Sequence, residues 1–184
     1  MNLDTYLSEP RENLVEHVKN ALREVQRLNQ EYNCMNTICE ERALHRAQKV
    51  QQKIEEGEHG VLAGLLVTVK DNICVKDVET TAGSRILQGY KPLFNATAVK
   101  RLIGEDAIII GKTSMDAFGF GSFNINTGKD YAVPKNPLDK KRVTGGSSGG
   151  SAAVTKLASF PHISLGESTG GSIENPAAYC DVTG

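Results

Sequence analysis

Several common kinds of site have nothing to be built from in this sequence. No stretch approaches the ~18 apolar residues of a membrane span, so none is expected. The N-terminus, MNLDTYLSEPRENL, is polar and acidic and lacks the apolar core of a secretory signal. A mitochondrial presequence would be richer in Arg and poorer in acids. The four cysteines, Cys34, Cys39, Cys74 and Cys180, show no CxxC spacing. They read as reduced, mostly buried small side chains of a cytoplasmic protein rather than as metal or redox ligands. A cytoplasmic location is the expectation, with a mitochondrial one left open. Charge of one sign is also missing: the net charge is −1, which gives no general attraction to nucleic acid. Contact with RNA would need a local patch or a partner. There is no internal repeat, linker or low-complexity tract. The 184 residues, 39% hydrophobic and 23% charged, are therefore expected to form one soluble α/β domain or a large piece of a bigger one.

The elements follow from periodicity. Residues 8–30 read as an amphipathic helix, with Ser8 as cap and Pro10 in the first turn. Leu14, Val18, Ala21, Leu22, Val25 and Leu28 form its apolar stripe. A second helix is expected from Glu40 to Glu56, with Ala43, Leu44, Ala47, Val50 and Ile54 inward and Gly57 closing it. Residues 1–58 thus read as a helical lead-in without candidate chemistry, and 59–184 as the core. In the latter, LAGLLVTVKDNI holds a short buried strand ending at Lys70 and Asp71. Residues 96–104 predict a short helix, AIII at 107–110 and HISLG at 162–166 further strands, and RVTGGSSGGSAAVTKLA a glycine loop opening into a helix. Alternating helices and buried strands indicate the α/β class.

Two glycine-rich serine loops stand out, TGGSSGG at 144–150 and STGGS at 168–172. Glycines around a serine let the backbone adopt conformations closed to other residues, and let N–H groups crowd around a developing oxyanion. One such loop alone reads as a flexible turn or a phosphate cradle; two together point toward acyl transfer. GKTS at 111–114 looks like the tail of a phosphate-binding loop, but Asp106 occupies the place where that motif needs glycine. The base is not a histidine on pattern: His17, His45, His59 and His162 lie in four unrelated contexts, and no GxSxG elbow precedes a helix in the right frame. Lysine is the other available base. Its free pKa near 10.4 must fall roughly three units, about 4 kcal/mol, and burial supplies such a shift by desolvating the ammonium. Lys70, directly after LLVTV, is placed for that, unless it pairs with Asp71 or lies at the surface.

With these residues in view the sequence resembles the amidase signature family. LAGLLVTVKDNI, TAGS at 81–84, GKTSMDAFGFGS, TGGSSGGSAA and LGESTGGSIENPAAYC are five ordered blocks of that family, spanning about residues 30–184. The EERALHRAQ helix, the VKDN block and the GKTSMDAF block look most like the A subunits of glutamyl-tRNA(Gln)/aspartyl-tRNA(Asn) amidotransferases. The resemblance implies a mixed central sheet flanked by helices. It also implies a Ser–cis-Ser–Lys triad of Lys70, Ser147 and Ser172, with no metal and no cofactor in this chain. Ser172 would attack the side-chain amide of glutamine and pass its proton to Ser147, held by Lys70. Backbone N–H groups of Thr169, Gly170, Gly171 and Ser172 would receive the oxyanion, and Gly121 and Ser122 would line the substrate pocket. The implied partners are a B subunit, optionally with a small C-type subunit. ATP, Mg²⁺ and the misacylated tRNA would be handled on that partner side, and no membrane is involved. A stand-alone amidase, or an inactive binding module, is the competing expectation.

The sequence departs from the family in three respects, one being a Ser147–Ser172 interval one residue longer than usual, in the stretch around Lys156 to Ile163. Ser168 stands where the family usually has Asp, and Glu174 where it has Arg, so an opposite-charge pair would have been lost as a unit. Family members also run to more than twice this length, so the resemblance implies a core truncated after the nucleophile block and dependent on the missing part or a partner.

Overall fold

A computed structural model describes residues 13–184. Helix α1 (Leu14–Tyr32) buries all six residues of the expected stripe, Leu14, Val18, Ala21, Leu22, Val25 and Leu28. Ser8 and Pro10 lie outside the described residues. Within them the helix begins later than expected, because Asn13 has a non-helical backbone, and it runs on to a left-handed Asn33. Helix α2 (Glu40–Glu56) has the expected bounds, with Gly57 closing it in the left-handed region. Its apolar face is only partly as expected: Ala43, Ala47 and Val50 are buried, while Leu44 and Ile54 are partly so.

Between these helices lies a strand that the sequence did not disclose, β1 (Met35–Ile38). It pairs antiparallel with β3 (Ile108–Thr113), setting Met35 against Thr113 and Ile38 against Gly111. Glycine is required at 111: a Cβ there would lie 2.5 Å from Met35 Cε and from the Thr37 carbonyl oxygen. The lead-in is therefore not purely helical but supplies an edge of the sheet. The sheet order is β1-β3-β2-β4, with β2 (Leu66–Lys70) parallel both to β3 and to β4 (His162–Leu165). Helix α3 (Thr97–Gly104) precedes β3, α4 (Gly149–Leu157) precedes β4, and α5 (Glu174–Cys180) ends the described chain. Strand β3 runs further than AIII, through Gly111, Lys112 and Thr113, because its polar residues find buried partners: Lys112 pairs with Asp71, and Thr113 hydrogen-bonds Ser151 at 2.7 Å. Helix α5 was also unforeseen, since serine, glycine and a proline crowd its start. Pro176 falls in its first turn, where its missing N–H is harmless.

Both faces of the sheet are covered, which is why β2 and β3 are buried along their whole length. Side chains alternate along a strand. Leu66, Ile108 and Ile110 join a layer with Val18, Val25, Ala47 and Val154 from α1, α2 and α4. Val67, Val69 and Ile109 join the opposite layer with Val75 and Val99. On the first face of β2, Thr68 hydrogen-bonds Ser164 at 2.7 Å, and Ser164 accepts from Thr155 of α4 at 2.8 Å. The same alternation puts Lys70 on the α4 side, facing the glycine loop that starts that helix. Among the described residues no helix is long and apolar enough to cross a membrane.

Candidate active site

Lys70 ends β2 and is fully buried. Its Nζ donates to Ser147 Oγ at 2.7 Å and to the Glu167 carbonyl oxygen at 2.9 Å, with the Glu167 carboxylate at 3.2 Å. Burial pushes the lysine pKa down; the carboxylates of Glu167 and, more weakly, Asp116 oppose that shift. A neutral amine so placed can take a proton from the serine hydroxyl it touches.

The competing placements of Lys70 do not occur. Asp71 is engaged elsewhere: its Oδ1 is 3.1 Å from Lys112 Nζ, and its Oδ2 accepts from Thr81 and Asn36. Lys112 also donates to Thr80 at 2.9 Å, and the Asp71–Lys112 pair is wholly buried. The lysine of the GKTS segment is thus committed to an internal ion pair, which removes the phosphate reading of that segment on geometry as well as on spacing.

Ser147 sits just before α4, buried, after a cis Gly146–Ser147 peptide. The loop around it is closely packed. The Gly146 N–H donates to the Ser122 carbonyl at 2.9 Å, and the Asp116 N–H to the Ser147 carbonyl at 3.2 Å. A Cβ on Gly146 would lie 2.1 Å from Asp116 Oδ2, so only glycine admits that carboxylate. Asp116 in turn accepts the N–H groups of Asn124 and Asn126, both at 2.9 Å. It therefore shapes the loop that carries Gly121 and Ser122. Those two residues come together with the Ser147 loop through the Ser122 carbonyl.

Ser172 is held by its backbone, its carbonyl accepting the Ser148 N–H at 3.1 Å. This joins the two glycine-serine loops edge to edge, although no hydrogen bond links the Ser172 and Ser147 hydroxyls. Thr169 and Gly170 are exposed, and Gly171 and Ser172 half-buried. The Gly171 N–H is turned inward to the Ser168 hydroxyl at 3.1 Å. Of the four predicted oxyanion donors, Gly171 is therefore already bonded, while those of Thr169, Gly170 and Ser172 make no hydrogen bond among the described residues. The Ser168 hydroxyl donates to the Glu174 carboxylate at 3.0 Å. The two positions at which the sequence departs from the family pattern are in direct contact.

Sequence reasoning missed Glu167, Asn72 and Asp116. Asn72 belongs to the KDN block but received no role; here its Nδ2 donates to Glu167 at 2.8 Å. That hydrogen bond first, and Lys70 second, hold the Glu167 carboxyl below its ordinary pKa despite partial burial. Only the fold brings Glu167 to Lys70, so no local signal could have found it.

A buried lysine is thus bonded to a serine beside a second serine loop, and comparison with known proteins gives the family in which this arrangement stands. The Amidase family model matches residues 16–184, and the chain belongs to the amidase signature family. Among curated proteins it is similar to a glutamyl-tRNA(Gln) amidotransferase A subunit of Clostridium acetobutylicum, the one numbered 2. The two are 47% identical over 168 residues, covering 91% of this chain and 34% of that protein. Among solved structures it is similar to the glutamyl-tRNA(Gln) amidotransferase A subunit of Thermotoga maritima. There the TM-score is 0.79 at 28% identity, over 98% of this chain and 36% of that one. Another solved structure, from a vestigial protein complex bearing on the origins of an s-triazine catabolic enzyme, has a TM-score of 0.85 at 33% identity. That match covers 92% of this chain and 37% of the other. The chain spans about a third of the length of the curated relatives it matches.

Proposed function

We propose that this chain carries the reacting residues of a glutamine amide hydrolase, the ammonia-releasing subunit of a tRNA-dependent amidotransferase. The observation that carries this reading is the 2.7 Å bond from a fully buried Lys70 amine to Ser147, in a loop fastened to that of Ser172. Ser172 attacks the side-chain amide carbon of glutamine, and its proton passes to Ser147 as Ser147 gives its own to Lys70. The tetrahedral oxyanion is received by backbone N–H groups of the 169–172 loop. The proton returns through Ser147 to the leaving nitrogen, ammonia departs, and water hydrolyses the acyl-enzyme by the same relay. Gly121 and Ser122 border the substrate. A B subunit, with or without a small C-type subunit, uses the ammonia on Glu-tRNA(Gln) or Asp-tRNA(Asn), with ATP and Mg²⁺ on that side of the reaction. The similarity to A subunits supports this assignment.

The test is covalent modification of Ser172 by a sulfonyl fluoride, followed by glutaminase assay with and without a B-type partner. Modification lost in Ser172→Ala, together with partner-stimulated ammonia release, is the expected result. Hydrolysis of other amides without stimulation would make the protein a stand-alone amidase. Absence of modification at any pH would leave only a binding module.

A further inference from the structure

The amine at the centre of this site is not alone with its serine. Glu167 follows β4 by two residues and reaches Lys70 twice, through its carbonyl at 2.9 Å and its carboxylate at 3.2 Å. The carboxylate is steadied by Asn72, two residues beyond Lys70, at 2.8 Å. The arrangement is lopsided. Lys70 is wholly enclosed, whereas the Glu167 side chain is 41% exposed and so is free to exchange with water. The other charges around the pair do not substitute for it. Asp116, after β3, is spent on the Asn124 and Asn126 amides, Asp71 faces Lys112, and Glu174 of α5 accepts from Ser168. Glu167 is the carboxylate in ion-pair contact with Lys70.

The relay proposed above, on which this inference rests, needs Lys70 without its extra proton at the moment Ser147 must lose one. An ionised carboxylate 3.2 Å away favours the ammonium. We propose that Glu167 is a positioning residue that sets the pH at which the Lys70–Ser147 pair can accept a proton, holding Lys70 charged until the solution is alkaline enough or the carboxylate swings away. Its influence has two signs. Before reaction it keeps the base occupied; once Lys70 has received the serine proton, the same carboxylate stabilises the cation formed. Neutralising Glu167 therefore extends activity to lower pH and lowers the plateau reached at high pH.

The direction agrees with the electrostatics of the site, in which burial depresses the Lys70 pKa and Glu167 is the largest opposing influence. Partial exposure screens the carboxylate. The displacement expected on removing its charge is therefore about one pH unit, or tenfold in the fraction of neutral amine below the midpoint.

The test uses two probes on the full chain. Lys70 Nζ is titrated by heteronuclear NMR with ¹⁵N-lysine labelling, its signal identified by loss in Lys70→Arg, and Ser172 modification by a sulfonyl fluoride is followed against pH. Glu167→Gln keeps the shape and the Asn72 contact without the charge. The expected result is a Lys70 titration about one unit lower, a matching shift of the modification profile, and a lower plateau. Glu167→Asp, which retains the charge, is expected to keep the original midpoint. A merely structural role would change rates at every pH and leave the midpoint alone. An unmoved Lys70 titration in Glu167→Gln overturns the proposal, whatever Ser172 does. A shifted Lys70 titration with Ser172 unreactive throughout overturns the hydrolase reading instead. Should Glu167→Gln fail to fold, Glu167→Ser is read by the same criteria.

Discussion

The ion pair behind the site permits a quantitative test. Asp71 and Lys112 are both fully buried, 3.1 Å apart, and lie where β2 and β3 run side by side immediately after Lys70. Burial lowers the Lys112 pKa and Asp71 opposes it, so each charge is tolerated because of the other. Lys112→Met keeps the unbranched apolar stem of the side chain, short by the terminal amine, but leaves the Asp71 carboxylate without its cation. Breaking a buried pair from one side costs ~3–5 kcal/mol. Asp71 keeps the hydrogen bonds from Thr81 and Asn36, which favours the lower end, about 3 kcal/mol. With a urea dependence near ~2 kcal/mol/M, the unfolding midpoint should fall by about 1.5 M. The double change Asp71→Asn with Lys112→Met removes both charges and should recover more than half of that loss. The assay is urea unfolding of wild type, both single variants and the double variant, closed as a double-mutant cycle. A single-variant loss below about 1 kcal/mol, or strictly additive effects, would refute the reasoning, because either would mean the pair is hydrated rather than enclosed. Ser172 modification in the same variants tells whether the pair also sets the position of Lys70. The geometry predicts slower modification in Lys112→Met and partial recovery in the double variant.

Two further outcomes are expected. Asp116→Ala leaves the amides of Asn124 and Asn126 without their acceptor; Asn124 is buried and Asn126 exposed, so the cost is about 1–3 kcal/mol for the one buried unpaired group. Hydrogen exchange at those two amides should accelerate and Ser172 modification should slow. At the contact between Ser168 and Glu174, Ser168→Asp alone sets two carboxylates against each other, whereas Ser168→Asp with Glu174→Arg makes an opposite-charge pair. Thermal unfolding should therefore rank the double variant above Ser168→Asp, and the reverse order would show that the two positions do not sense one another.

What the sequence by itself determined was local. The bounds of α2 follow from a 3.6-residue apolar spacing and a glycine able to take a left-handed backbone at 57. Strand β2 is legible because a strand covered on both faces is a continuous apolar run, and the lysine ending it stood out by contrast. The two glycine-serine loops were visible for their composition. Tertiary structure alone decided the rest. Strand β1 has four residues, only one of them buried, and exists because β3 offers it partners from far along the chain. Lys112 extends β3 instead of ending it because Asp71 waits just past the end of the neighbouring strand. Glu167 is an ordinary acidic residue in the sequence and becomes the companion of Lys70 only when β4 aligns beside β2. Periodicity and backbone preference act over a few residues and are written along the chain. Pairing of charges depends on distances across strands, which exist only once the sheet has formed.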